Sequence, residues 1–229
     1  MAQASKAVVH PTFTLPFICG DLFIAFLGVR TISHNTWIHR FVTIGVRPLV
    51  NTGITPNQIT TLRLASGIGA AACFAVGEEL WSIIGSGVFV LSLLLDRADG
   101  ILARLSGKTS PGGHKFDLIA DSLANSLAFV GIGIGLRHSP LGELAIPLGV
   151  VAGLAITAVL WLVMRAEEQA GSRAAELGST AGFDPDDAML AVPFAVLLGW
   201  GTELIIAAAF GASLFAVFFF FKFRDFLGR

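Results

Sequence analysis

Charged residues are scarce in this chain, and neither sign of charge dominates. Only 14% of its 229 residues are charged, whereas a typical soluble domain carries roughly a quarter. Hydrophobic residues make up 54% of the sequence, and the mean hydropathy is +0.77. This composition argues against an ordinary soluble domain and predicts an integral membrane protein. The formal net charge of −1 implies no general attraction to nucleic acid.

Cysteine is also nearly absent. The two cysteines, Cys19 and Cys73, lie far apart in apolar sequence, which argues against a disulfide framework or a CxxC metal site. Both are interpreted as small buried hydrophobic residues. No internal repeat or low-complexity linker divides the chain, and residues 1–13 lack the pattern of a cleaved signal peptide. We therefore expect one membrane domain at 55–229, preceded by a cytoplasmic or interfacial segment at 1–54.

Long apolar segments are frequent. A membrane-spanning helix needs about 20 mostly apolar residues, and six segments approach that length. They are 59–77, 81–105, 115–136, 142–164, 186–201 and 204–221. The predicted fold is an all-α integral membrane bundle of six transmembrane helices. We expect this bundle to cross the inner membrane of the cell. The distribution of lysine and arginine between the short loops predicts that both termini and the 105–114 loop face the cytoplasm.

Two segments precede the first predicted span. In residues 34–53, the apolar side chains of Trp37, Phe41 and Ile44 recur at the spacing of one helix face, with basic residues between them. This pattern predicts an interfacial amphipathic helix; the alternative is an ordinary linker. Residues 13–29 are almost long enough to span but are interrupted, and we interpret them as a second interfacial or re-entrant segment.

The richest polar pattern lies within residues 93–126. It runs Asp96-x2-Asp99-Gly100-x2-Ala103-Arg104-x8-Gly113-x3-Asp117-x3-Asp121. On a helix, the first five of these residues form one stripe, and the last two aspartates share a face of the next helix. If the stripes meet, four carboxylates converge, and unpaired anions are prohibitive in hydrocarbon. The sequence therefore predicts one or two divalent cations, and oxygen ligands suit Mg²⁺ or Mn²⁺.

Position by position, this pattern resembles the signature of the CDP-alcohol phosphotransferase (CDP-alcohol phosphatidyltransferase) family. Its members are integral membrane enzymes that move a phosphoalcohol from a CDP carrier to an acceptor hydroxyl and release CMP. The resemblance implies that Asp96, Asp99 and Asp117 are mainly metal ligands. It implies that Asp121 is the general base and also touches the second metal.

The resemblance also implies substrates and assembly. The expected donor is CDP-diacylglycerol, the acceptor is a polar alcohol, and the reaction belongs to phospholipid biosynthesis. The reverse division, with a small CDP-alcohol donor and a lipid hydroxyl as acceptor, is compatible with the same motif. A homodimer is implied, with one active site per protomer that opens to the cytoplasm.

Several residues are expected to contact the nucleotide. They are Asn57, Asp99, Gly100, Ala103, Arg104 and Gly113. The small residues would let cytidine and its phosphates lie against helix backbone, although small residues in membranes also serve helix packing. Arg104 can fork onto phosphate oxygens or extend to lipid headgroups. Asn57 lies in a Thr55-Pro56-Asn57-Gln58 segment whose first role is to cap a helix.

Two residues are candidates for acceptor binding. Arg165 begins a segment resembling one in prokaryotic family members, where a nearby arginine meets the acceptor; the alternative is a positively charged membrane anchor. Asp186 stands where members that use phosphorylated acceptors tend to place an arginine. This predicts an acceptor without phosphate, although acids also suit the first turn of a helix.

Two other functional classes are compatible with parts of this sequence. A cation channel or proton-coupled transporter also places carboxylates in membrane spans. That class does not explain the Gly-x2-Ala-Arg spacing of Gly100, Ala103 and Arg104. A catalytically inactive scaffold would be expected to lose an aspartate of the motif, and all four are present. The sequence therefore predicts an enzyme.

Overall fold

Every regular element in the described part of the chain is helical. The computed structural model describes residues 37–170 and 189–227, so the predictions for 13–29 and Asp186 lie outside the described residues. Its α-helices are α1 (Trp37–Val46), α2 (Pro56–Val76), α3 (Glu79–Ser106), α4 (Pro111–Gly135), α5 (Ala145–Ala170), α6 (Ala191–Leu197) and α7 (Gly201–Leu227). Short 3-10 helices cover Arg47–Asn51, Leu136–His138 and Gly142–Leu144.

Five of these helices, α2, α3, α4, α5 and α7, are long and apolar enough to cross a membrane. They correspond to five of the six predicted spans. Within the described residues, the remaining predicted span, 186–201, contains α6 and the first residue of α7. With seven residues, α6 is about 10 Å long, far short of a bilayer core of about 30 Å. The count of six spans therefore stays a prediction.

The start of α2 is fixed by the predicted capping box. The Thr55 backbone N–H donates to Gln58 Oε1 at 2.9 Å, and the Gln58 backbone N–H donates to Thr55 Oγ1 at 3.4 Å. Pro56 occupies the first turn, where its missing N–H costs nothing. This confirms the capping interpretation of the TPNQ segment.

A short loop joins α3, which carries Asp96 and Asp99, to α4, which carries Asp117 and Asp121. Helix α3 ends at Ser106, and Gly107 adopts a left-handed φ of 67°, which glycine accepts without strain. Ser110 then caps α4 by accepting a hydrogen bond from the Gly113 backbone N–H at 3.0 Å. Only residues 107–110 separate the helices, so the two aspartate stripes must lie at the same end of the bundle.

Helix α2 packs against α3 and α4, the helices that carry the four aspartates. Helix α5 packs against α4 and α7, and α6 packs against α3. The central core includes a T-shaped pair of Phe74 and Phe89, with ring centroids 6.3 Å apart. Glycine permits a close contact between two helices: a Cβ on Gly131 of α4 would overlap the backbone carbonyl oxygen of Ala71 on α2. The backbones of α2 and α4 are therefore in direct contact.

We expect Gly131→Ala to destabilise the protein. The overlapped oxygen belongs to backbone and cannot rotate away, so the helices must separate, at a cost of about 1–3 kcal/mol. Thermal unfolding in detergent should show a midpoint lower by several degrees. Gly87→Ala is the matched control, because a Cβ at Gly87 would meet no described residue within 4 Å. Equal midpoints for the two variants would contradict the close approach.

Helix α1 lies against α3 through residues other than those predicted for its apolar face. Val42 and Val46 are buried in a cluster with Ile59, Ala98, Ile101 and Leu102. Of the predicted apolar residues, Ile44 is 69% exposed, and the side chains of Trp37 and Phe41 lie outside those described. The protein-facing side of α1 is therefore the valine side, and its interfacial placement stays a prediction.

Candidate active site

Three of the four motif aspartates converge in one cluster. Asp96 and Asp99 come from α3 and Asp117 from α4, and one carboxylate oxygen of each lies within 4.8 Å of the others. Asp99 is only 3% exposed. The predicted meeting of the two stripes therefore occurs across the 107–110 loop, and we call these three residues the aspartate cluster.

The aspartate cluster has the chemistry of a divalent-cation site. Asp99 Oδ2 accepts a hydrogen bond from the hydroxyl of Thr60 at 2.6 Å. The other oxygen, Oδ1, is buried without a hydrogen-bond donor among the described residues, and so is Asp117 Oδ1. Buried carboxylate oxygens need a donor or a cation, and hard divalent cations prefer oxygen ligands. Asp96, Asp99 and Asp117 are thus the residues that would hold such an ion.

A buried arginine, which the sequence interpretation did not include, borders the cluster. Arg63 of α2 is 1% exposed, and its Nη2 lies 3.3 Å from Asp96 Oδ1. Its Nη1 lies 3.9 Å from Asp117 Oδ1 and donates to the Asp117 backbone carbonyl at 3.4 Å. Its Nη2 also donates to Asp121 Oδ1. One guanidinium therefore contacts three of the four motif carboxylates.

Arg63 could have been found from the sequence. An arginine well inside an apolar span is rare, faces the bundle interior and pairs with acids. The positive-inside rule considers residues at loops and boundaries, whereas Arg63 lies about one turn inside the first predicted span. Thr60, one turn earlier on the same helix, was missed for a different reason, since a threonine in a span carries no comparable signal.

Asp121 has an environment different from that of the aspartate cluster. Its Oδ1 accepts from Arg63 and from Asn125 Nδ2, the latter at 2.7 Å. It does not belong to the group of three whose oxygens lie within 4.8 Å of one another. Asn125 lies one turn after Asp121 on α4, and Arg63 reaches the same carboxylate oxygen from α2. Its assignments as general base and second metal ligand stay predictions.

The residues predicted to bind nucleotide lie at the same end of the bundle. A Cβ on Gly113 would be 3.3 Å from Asn57 Oδ1, so these two predicted residues are neighbours. Among the described residues, a Cβ on Gly100 would meet only Arg104 Nη2, at 4.0 Å. Packing between the described helices therefore does not explain Gly100. Arg104 is exposed one turn further along α3, with Ala103 partly buried beside it.

A small pocket opens next to the carboxylates. It is lined by Leu93, Asp96 and Arg97 of α3, Asp121 and Asn125 of α4, and Met189 and Leu190. Asp121 therefore lines this pocket in addition to its contact with Arg63. Of the predicted acceptor residues, Arg165 lies in α5 with its side chain outside those described, and Asp186 lies outside the described residues.

Sequence comparisons agree with the motif. The family model for CDP-alcohol phosphatidyltransferase matches residues 53–221. The archaetidylinositol phosphate synthase of Pyrococcus horikoshii is 32% identical over 89 residues, which are 39% of this chain and 46% of that protein. The phosphatidylinositol phosphate synthase of Streptomyces avermitilis is 32% identical over 105 residues, 44% of this chain and 42% of that protein. The chain thus spans less than half the length of these relatives.

A solved structure shares the fold. The crystal structure of Mycobacterium tuberculosis phosphatidylinositol phosphate synthase with CDP-DAG bound superposes with a TM-score of 0.62. The similarity covers 82% of this chain and 94% of that chain, at 18% sequence identity. At this identity the comparison supports the arrangement of helices, and the family is shown by the sequence match.

Proposed function

Because this chain belongs to the CDP-alcohol phosphatidyltransferase family, we propose that it transfers a phosphatidyl group from CDP-diacylglycerol to the hydroxyl of a polar alcohol. The observation that carries the proposal is the convergence of Asp96, Asp99 and Asp117 inside a chain of that family. The neighbouring structure, whose title names bound CDP-DAG, supports the choice of donor. The product is a phospholipid and CMP.

The residues divide the work in the following way. Asn57, Gly100, Ala103, Arg104 and Gly113 form the surface for the cytidine diphosphate part of the donor, with Arg104 directed to phosphate oxygens. Mg²⁺ or Mn²⁺ held by the aspartates would neutralise the leaving phosphate and polarise the phosphorus under attack. Asp121 takes the proton of the acceptor hydroxyl. The acceptor oxygen bonds to the phosphorus of the phosphatidyl group, and the bond from that phosphorus to the CMP oxygen breaks.

The membrane arrangement is part of the proposal. Lys108 and Lys115 flank the start of α4, and positive residues favour the cytoplasmic side. We place the aspartate cluster at the cytoplasmic face of the inner membrane. Substrates would reach it from the cytoplasm and from the membrane lipid. Helix α1 lies in the interface with Ile44 toward lipid, a sixth span includes α6, and the enzyme is a homodimer.

The proposed function is tested by CMP release. The purified full chain is incubated in detergent with CDP-diacylglycerol, Mg²⁺ or Mn²⁺ and a panel of alcohols and their phosphate esters. We expect CMP and a matching lipid product with at least one acceptor. Replacing CDP-diacylglycerol by a small CDP-alcohol, with diacylglycerol as acceptor, tests the reverse division. No CMP release from either donor would contradict the proposal.

A phosphorylated polyol is the second candidate for the acceptor. Both relatives are named as synthases of inositol phosphate lipids, and Arg97 places a permanent cation in the pocket beside Asp121. Asp186 predicts the opposite, an acceptor without phosphate. The two expectations are separated by comparing inositol with inositol phosphate in the same assay.

If the phosphate ester is preferred, Arg97→Gln should raise its KM by about 10- to 100-fold, because a hydrogen bond to a charged group contributes about 1.5–3 kcal/mol. The KM for the unphosphorylated alcohol should stay within about threefold. Arg97→Lys, which keeps the charge but loses the fork, should fall between the two. Equal effects on both acceptors would contradict a phosphate contact at Arg97.

A further inference from the structure

Arg63 needs a functional explanation because its position is costly. It is a permanently charged side chain, 1% exposed, about two turns from the start of α2. An unpaired charge there would be strongly destabilising. Its pairing with Asp96, Asp117 and Asp121 removes that cost, but an apolar side chain at this position would avoid it altogether.

The contacts of Arg63 are not evenly distributed. The two cluster aspartates lie at 3.3 and 3.9 Å, while Asp121 receives a direct hydrogen bond from Nη2. Asn125 donates to the same Oδ1 of Asp121 at 2.7 Å. With Oδ1 held by two donors, Oδ2 is the oxygen left to accept a proton. Asp121 also lines the pocket that contains Arg97.

The backbone of Arg63 is fixed as well. Its carbonyl accepts hydrogen bonds from Ser66 Oγ at 2.7 Å and from Ser92 Oγ of α3 at 3.0 Å. A Cβ on Gly67, one turn later, would lie 2.5 Å from Ala124 Cβ on α4. The guanidinium therefore projects from a segment of α2 that is held against both α3 and α4. Such a fixed backbone is what a residue that positions a carboxylate needs.

We propose that Arg63 is a positioning residue for the base: it holds the Asp121 carboxylate with one oxygen directed to the small pocket that Asp121 lines, where the acceptor hydroxyl would bind. It acts through Asp121 and does not bind the donor phosphates, which are the task of Arg104. This role rests on the proposed function, because it assigns to Asp121 the proton of the acceptor hydroxyl.

The test separates turnover from donor binding. Arg63→Met should lower kcat for CMP release by about 100-fold, within the range that a general base contributes, while the KM for CDP-diacylglycerol stays within about threefold. Arg63→Lys keeps a cation near Asp121 and should recover about tenfold of that loss. CDP binding, measured by calorimetry in the presence of Mn²⁺, should persist in both variants. A tenfold rise in donor KM with unchanged kcat would overturn the proposal in favour of a phosphate contact.

A double-mutant cycle gives the second arm. If Arg63 acts through Asp121, adding Arg63→Met to Asp121→Asn should cost less than about threefold beyond Asp121→Asn alone. Multiplied costs would overturn the proposal. The double variant also removes both charges of the Arg63–Asp121 ion pair. If Arg63→Met does not fold, the proposal is tested with the double variant and with Arg63→Lys.

Arg137→Met is the matched control for the loss of a partly buried arginine. Arg137 donates to the backbone carbonyls of Ala75 and Ile134, so its loss should affect stability and leave kcat unchanged. A wild-type protein that releases no CMP would overturn the proposed function itself, and with it this role. Wild-type activity combined with native kcat in Arg63→Met would overturn the role of Arg63 alone.

Discussion

Replacing Asp99 with asparagine should reduce CMP release by about a thousandfold, which corresponds to about 4 kcal/mol of lost transition-state stabilisation. Asparagine matches aspartate in size, and its amide oxygen can still accept the hydrogen bond from Thr60, so packing is preserved. The lost feature is one negative charge in the aspartate cluster, at a residue that is 3% exposed. The measurement is CMP release under saturating donor and acceptor.

Two comparisons make this expectation specific. Mn²⁺ binding, followed by electron paramagnetic resonance, should weaken in Asp99→Asn together with activity. Glu203→Gln, at an acid in the first turn of α7, removes a carboxylate outside the cluster and should leave both properties unchanged. Near-native activity in Asp99→Asn would show that the cluster is not part of the reaction.

Removal of divalent cations should abolish CMP release. Arg63 contacts three of the four motif carboxylates, and buried oxygens of Asp99 and Asp117 have no hydrogen-bond donor among the described residues, so a divalent cation is expected to neutralise the cluster. EDTA followed by gel filtration should bring activity to background, and Mg²⁺ or Mn²⁺ should restore it. EDTA saturated beforehand with Mg²⁺ is the control. Full activity in protein shown to be metal-free by elemental analysis would contradict a catalytic cation.

The convergence of the aspartates was predictable because it depends on short-range geometry. Asp96 and Asp99 are one helical turn apart, as are Asp117 and Asp121. A four-residue loop leaves the two helices no choice but to lie side by side. The capping box at Thr55 and Gln58 was predictable for the same reason, since every atom involved lies within one turn.

The contacts of α2 were not predictable in this way. Arg63 reaches Asp96, 33 positions later, and Asp121, 58 positions later, and such pairings depend on how three helices rotate about their axes. The same limit applied to α1. Its spacing suggested an apolar face that included Ile44, but packing on α3 buries Val42 and Val46. A periodic pattern identifies a helix but not which of two apolar sides meets the protein.

The predicted fifth span shows a limit of another kind. Hydropathy treats 186–201 as one segment, whereas α6 begins at Ala191 and ends at Leu197, before Gly199 turns the chain with a φ of 76°. Apolar composition alone does not report where a backbone bends. The break before α7 accordingly falls at residues 198–200.

The side-chain partners of the motif carboxylates described above, Thr60, Arg63 and Asn125, all come from α2 and α4. Of the described residues that line the pocket, Met189 and Leu190 belong to the later part of the chain. On the proposed function, part of the acceptor pocket therefore lies in a stretch of sequence separate from the aspartates. Substitutions in that later stretch would then change the fit of the alcohol while the aspartates stay in place. Libraries randomised at Met189 and Leu190 are therefore the economical route to an enzyme that makes a different lipid headgroup.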